Sequence, residues 1–287
     1  MKIEKGFKIT KYIIDNCTMN IELNNEQKLS QFACIAKNLK SFSSDIELIV
    51  DQNKLYAQGM DSGHVCLFEL VLKGTWFNSY NVDKSYSLGI NCELLSRVLE
   101  CLESKHTIKI HYNDNSDYLE ISLLPKENES GMVKIFRLPL IDLETNLLEI
   151  PETEYSADVY MISEQFSKLV HQMSIFGKHL RFEMNENIKI STKGDMGSMD
   201  AVIKQEDINM YACEEDMSLN LAFSGQYINM MTAFTRLNKQ IKIHFSEDIP
   251  MKMQYGLDSF MDTDDEDSSE SDENYLRLFL APRVEED

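Results

Sequence analysis

The chain has 287 residues, 43% of them apolar, so it can bury a sizeable core, which excludes global disorder. Its formal charge is −20, the wrong sign for a protein that grips DNA by neutralising phosphates over its whole surface. No run approaches ~18 consecutive apolar residues, which argues against a membrane span. The start, MKIEKGFKITKYIIDN, lacks the apolar stretch of a secretory signal. Six cysteines, at 17, 34, 66, 92, 101 and 213, form no C-x-x-C pair, which fits a reducing compartment without disulfides or zinc.

Residues 1–18 read as an extension, with Lys2, Lys5, Lys8 and Lys11 recurring every third residue. It is either a tail or a basic arm for DNA or an acidic surface. CTMNIELN at 17–24 alternates as a strand does. In EQKLSQFACIAKNLKSF at 26–42, Leu29, Phe32, Ala33, Ala36 and Leu39 follow helical spacing, with Lys28, Gln31 and Asn38 on the polar side. Strands are expected at 45–51, 54–60, 64–73 and 86–91. A second helix is expected at 92–103, with Leu94, Leu95, Val98, Leu99 and Leu102 inward. Strands at 107–113, 117–124 and 132–138 complete the first half.

The segment 138–156 has no clean period, and Pro139 and Pro151 interrupt it, so it reads as an extended connector. The plan then repeats. A strand at 155–161 precedes a helix at 163–176, with Phe166, Leu169, Val170 and Met173 inward. Strands at 179–184, 187–192, 197–205 and 217–224 precede a fourth helix at 225–237, and strands at 240–246, 250–256 and 275–281 close the chain. Strand, helix and several strands thus occur four times, which indicates an α+β protein with internal duplication. Residues 258–273 hold nine carboxylates and no base, the composition of a disordered loop.

Catalytic motifs are missing: there is no G-x-x-x-x-G-K-[ST], no H-E-x-x-H and no G-x-S-x-G. The six histidines have no metal-ligand spacing; His106 and His111 flank a predicted strand. The chain therefore reads as a non-enzyme without cofactor or metal.

Two apolar runs flank the hexapeptide MDSGHV at 60–65, a strand–turn–strand signature in which Met60 and His64 bracket the turn. His64 is either satisfied by nearby backbone or free to meet a partner. MDSGHV, YSLGINCELLSRVLE at 86–100, IPETEYS at 150–156 and YLRLFLAPRVEED at 275–287 together resemble, in the same order, segments of PCNA, the eukaryotic-type DNA sliding clamp. The resemblance spans roughly Met19 to Asp287 with one insertion. It implies two similar clamp domains per chain, helices inside and antiparallel sheets outside, and three chains closed into a ring. The implied division is an extension 1–18, clamp domain 1 at 19–138, a connector at 139–155 and clamp domain 2 at 156–287, carrying the acidic insertion 258–273.

The resemblance also implies three sites. A hydrophobic pocket for partner peptides would be lined by Met60, His64, Val65, Leu67, Leu148, Ile150, Pro151, Tyr155, Pro250, Phe279, Ala281, Pro282 and Val284; Phe279 stands where the family usually has tyrosine. A DNA-facing lining would draw on Lys28, Lys37, Lys40, Arg97, Lys168, His171 and Arg236. Glu100, Ile175 and Ala233 stand where the family usually carries a basic residue or histidine, so this lining is less positive than usual. A subunit seam would pair VKIFRLP at 133–139 with MGSMDAVIK at 196–204, through Phe136, Met196, Met199 and Val202. The family's ubiquitin-accepting lysine aligns near Asn185.

The function implied is a homotrimeric processivity factor that encircles double-stranded DNA without reading sequence. It would tether DNA polymerase, nuclease and ligase, and would be opened by a clamp loader. Its place would be the nucleus or a cytoplasmic replication site, with no membrane partner. The rivals are a subunit of a checkpoint-type heterotrimeric clamp and a DNA-free interaction scaffold, the latter favoured by the acidic charge.

Overall fold

The computed structural model describes residues 19–127, 129–143, 147–214, 218–258 and 274–283. The extension 1–18, residues 259–273 of the acidic run and Val284 lie outside the described residues. The chain forms two compact units: one runs to Gln58 and again from Leu70 to Asn146, the other takes Gly59–Glu69 and the chain from Leu147 onward.

In order, the first half carries β1 (Met19–Leu23), α1 (Glu26–Leu39), β2 (Asp45–Val50), β3 (Lys54–Met60), β4 (Cys66–Lys73), β5 (Ser79–Val82), β6 (Tyr86–Asn91), α2 (Cys92–Glu100), β7 (His106–Tyr112), β8 (Tyr118–Pro125) and β9 (Lys134–Pro139). One antiparallel sheet has the order β5-β1-β7-β8-β9, and β3-β2-β6 run side by side in another. β1 and β2 alternate buried and half-buried residues, so every second side chain enters the core. Both helices start on an asparagine cap: the Asn25 Oδ1 accepts from the Lys28 amide at 3.1 Å, and the Asn91 Oδ1 from the Leu94 amide at 3.0 Å. α1 and α2 pack on each other. Their inward faces include Leu29, Phe32, Ile35, Leu39, Leu95, Val98 and Leu99. A cavity of about 30 Å³ among these apolar residues is a packing gap without polar lining.

The second half carries β10 (Ala157–Ile162), α3 (Ser163–Met173), β11 (His179–Met184), β12 (Ile188–Gly194), β13 (Gly197–Ile203), β14 (Met210–Cys213), β15 (Leu219–Ser224), α4 (Gly225–Met231), β16 (Gln240–Phe245), β17 (Met251–Gly256) and β18 (Tyr275–Leu280). Its sheets run β13-β12-β11-β15 and β14-β10-β16-β17-β18, with β4 next to β18. Phe182, Phe223 and Phe245 cluster with ring centroids 5.2 to 6.2 Å apart and form the heart of this core.

The expected elements recur, with corrections. β5 and β14 were not expected: each is a four-residue edge strand, too short to show a period. α2 stops at Glu100 instead of 103, and α3 at Met173 instead of 176. The fourth helix ends at Met231 and continues as a 3₁₀ turn, Thr232–Phe234, where the Thr232 hydroxyl donates back to the Asn229 carbonyl at 3.0 Å. Leu94, expected inward, is 40% exposed, while Gln31, expected on the polar face, is 1% exposed. Leu102, Ala33 and Leu169 are only half-buried or less enclosed than expected. His106 and His111 belong to β7 itself, and burial holds both imidazoles below their ordinary pKa.

Gly89 and Gly59 are among the glycines demanded by close approach. A Cβ at Gly89 would collide with the Ile141 carbonyl, whose residue pairs with Gly89 at the start of the connector. At Gly59 a Cβ would lie 2.5 Å from Cε1 of Phe68, a fully buried ring. Gly59→Ala is therefore expected to destabilise the protein by about 1–3 kcal/mol through overpacking, seen as a lower thermal midpoint; an unchanged midpoint would show that the ring moves aside freely.

Candidate functional site

The hexapeptide loop joining β3 to β4 is organised by one side chain, Asp61. Its Oδ1 accepts from the amides of Val65 (2.7 Å) and Cys66 (2.6 Å). Its Oδ2 accepts from the Gly63 amide (2.8 Å) and from the Tyr227 hydroxyl on α4 (2.5 Å). The Asp61 backbone closes the loop as well, accepting from the His64 amide at 2.9 Å and donating to the Cys66 carbonyl at 3.0 Å. Burial pushes the Asp61 carboxyl up, but the Tyr227 hydroxyl and the three amides outweigh it and hold its pKa below the ordinary value. The same contact pushes Tyr227 up to about 12. His64 is exposed and sits at φ 55, a left-handed conformation that is costly for a residue with a Cβ.

This loop meets the C-terminal segment. The Ala281 amide donates to the Val65 carbonyl at 3.0 Å, and the Arg283 amide to the Ala222 carbonyl at 2.8 Å. Met60, Val65, Leu67, Ala281 and Pro282 are half-buried and His64 is exposed. Phe279 is only 9% exposed, on the opposite face of β18 from Leu278 and Leu280. Of the connector residues, Leu148 is 47% exposed, Ile150 and Tyr155 are half-buried and Pro151 is exposed. The Tyr155 hydroxyl donates to the carbonyl of Pro250 at 3.4 Å, joining two more of the expected lining residues. The loop that receives the C-terminal segment is thus braced by a buried carboxylate, and Met60, Val65, Leu67, Leu148, Ile150, Ala281 and Pro282 each keep water-facing surface.

The basic residues on the helices are mostly engaged. On α1 the Lys28 ammonium donates to the Trp76 carbonyl at 2.7 Å and lies 5.5 Å from that indole ring, which makes it a structural clip. Glu93 collects Lys40 (3.1 Å) and Arg97 (3.0 Å), and both hold its carboxyl below the ordinary pKa. In the second unit Lys168 pairs with Glu164 one turn earlier at 3.0 Å. Lys37, His171 and Arg236 are exposed. β9 and β13 are edge strands of their sheets. β9 exposes Ile135 and carries a half-buried Phe136; Met196 (85% exposed) and Val202 flank or belong to β13, with Met199 half-buried.

Family models for proliferating cell nuclear antigen match both halves: the N-terminal domain over residues 25–147 and the C-terminal domain over 149–263. The chain belongs to the proliferating cell nuclear antigen family. Its α+β architecture, with four helices and extensive antiparallel sheets, is that of a clamp. The family's clamps are non-enzymatic scaffolds, and a sliding-clamp role follows in general terms. Among the described residues no three His, Cys, Asp or Glu side chains converge as a metal would require.

In the sequence Asp61 stands within the turn of MDSGHV, and Tyr227 within the helical run 225–237. The signal for Asp61 was present, since an aspartate opening a turn toward a glycine commonly accepts amides two or more residues on. Nothing local pointed to Tyr227, 166 residues away.

Proposed function

We propose that the chain is a homotrimeric DNA sliding clamp, a processivity factor that tethers DNA polymerase, nuclease and ligase through the hollow formed by Met60–Leu67, the connector residues Leu148–Tyr155, Pro250 and Phe279–Pro282. The observation that carries this reading is the bond from Ala281 to Val65, which brings the C-terminal segment onto the braced loop in a chain with both clamp domains. A docked peptide needs a preformed apolar hollow with a few polar groups at its rim. A clamp loader opens the ring, and DNA is held by topology, so an acidic body is tolerated. The clamp works in the nucleus or at a cytoplasmic replication site. The deciding experiment compares retention on closed circular and linear duplexes: a topological clamp stays on circles and runs off free ends.

The DNA-free scaffold is the second reading, because Lys28, Lys40, Arg97 and Lys168 are already engaged by protein groups. Equal and negligible retention on both DNAs would favour it.

The seam of the proposed ring pairs β9 with β13 of the next subunit. Phe136→Asp would put a carboxylate without a partner into that seam, at a cost of several kcal/mol. The variant is expected to sediment as a monomer; a trimer unchanged at low micromolar concentration would disprove the assignment.

A further inference from the structure

The face of the second unit's sheet opposite its apolar core carries an ordered polar row. Asp158 on β10 is the register partner of His244 on β16, His244 of Lys252 on β17, and Lys252 of Phe279 on β18. The alternate residues Val159, Ile243, Met251 and Met253 are buried in the core. His244 Nδ1 and Asp158 Oδ1 are 2.5 Å apart, and His244 and Lys252 are 5% and 8% exposed. Enclosing such groups costs desolvation, and an apolar row of the same volume would serve stability as well or better. Stability alone is thus a poor account of the row.

What lies over the row is Tyr155. Its ring centroid is 5.4 Å from that of His244, tilted by 43°, and the Lys252 ammonium lies 4.9 Å from the same ring. With the long bond to the Pro250 carbonyl at 3.4 Å, the ring has three partners: the imidazole, the ammonium and, through its hydroxyl, that carbonyl. His244 also meets Tyr160, ring centroids 6.2 Å apart, and Tyr160 carries the Lys242 ammonium at 5.1 Å. The imidazole therefore contacts two tyrosines and is oriented by Asp158. An aromatic side chain already fixed in its docking orientation loses little freedom when a peptide arrives.

We propose that His244, oriented by Asp158, is a positioning residue of the partner hollow: it and Lys252 hold Tyr155 in the orientation that a docked peptide's apolar or aromatic anchor meets. The inference rests on the hollow being the partner site.

The test is calorimetric titration of a clamp-binding peptide with aliphatic and aromatic anchors into wild type, His244→Ala, Tyr155→Ala and the double variant. Thermal unfolding of each serves as the control for folding. His244→Ala is expected to weaken binding about tenfold, and the double variant to bind no more weakly than Tyr155→Ala alone, since residues acting through one group are not additive. His244→Gln retains a donor for Asp158 but has no ring; it is expected to bind as weakly as His244→Ala, and serves if the alanine variant does not fold. Wild-type affinity in both His244 variants, or losses that multiply in the double variant, would overturn the proposal while leaving the hollow intact. A wild type that binds no such peptide would remove the hollow as a partner site, and this role with it.

Discussion

Asp61→Ala is expected to cost about 2–4 kcal/mol, the largest stability loss of any single change in the loop. Three amides and a tyrosine hydroxyl lose their acceptor together, and each buried donor left unmet costs roughly 1–3 kcal/mol, reduced where the opened loop admits water. Asp61→Asn keeps the shape but turns an acceptor pair into one acceptor and one donor, so it falls between. The sign with pH follows from the lowered carboxyl pKa. A carboxylate whose folded value lies below its unfolded one stabilises fully above the unfolded value, near 4 for an aspartate, and loses that contribution as pH falls through the folded value. The gap between wild type and Asp61→Asn is therefore widest at neutral pH and narrows below about pH 4. Urea unfolding at pH 7 and pH 3 measures it. Equal midpoints at pH 7 would mean that the carboxylate does not hold the loop. Without this brace His64 has no reason to remain at φ 55, so peptide binding should fall alongside stability.

Ile150→Asp is expected to weaken a docked peptide by roughly 2 kcal/mol or more, on the scale of hot-spot losses. Ile150→Ala removes apolar contact only, so it should cost less. The aspartate adds a charge that the peptide must desolvate. Leu148 and Pro282 are expected to share this sensitivity, because the connector and the C-terminal segment supply the apolar walls. Ile150 is half-buried and Leu148 47% exposed, so both changes should leave folding and sedimentation unaltered. Calorimetric titration of wild type and the two variants decides it. Indifference to Ile150→Asp would place the partner site elsewhere. Failure of the wild type to bind would favour a checkpoint-type subunit or a clamp with a different partner motif.

Much of the architecture was legible one residue at a time. Alternation in MNIEL and DIELIV, and helical spacing in EQKLSQFACIAKNL, are local periods that burial reproduces strand by strand and turn by turn. Asn25 and Asn91 mark helix starts by chemistry that acts over three residues. Where local signals are weak, tertiary neighbours decide burial. Leu94 looked inward on its helical wheel but is exposed, and Gln31 looked polar but is enclosed, because a neighbour's shape decides where a helix face ends. The edge strands Ser79–Val82 and Met210–Cys213 exist because a partner strand offers them hydrogen bonds, a circumstance their own four residues do not encode.

By itself, then, the sequence determined the α+β class, the duplicated order of elements, the unusual acidity and the four segments that carry the clamp resemblance. Only the tertiary structure decided the contacts between distant residues. It placed Tyr227 on Asp61, Ala281 on Val65, and Asp158, His244 and Lys252 in one row beneath Tyr155. It also tied Lys40 and Arg97, two cations that the resemblance assigns to the DNA-facing lining, to Glu93. The physical reason is common to all of these. Periodicity and capping are set by backbone geometry within a few residues, whereas the partner of a buried carboxylate, hydroxyl or imidazole is set by which strands and helices the folded core brings side by side.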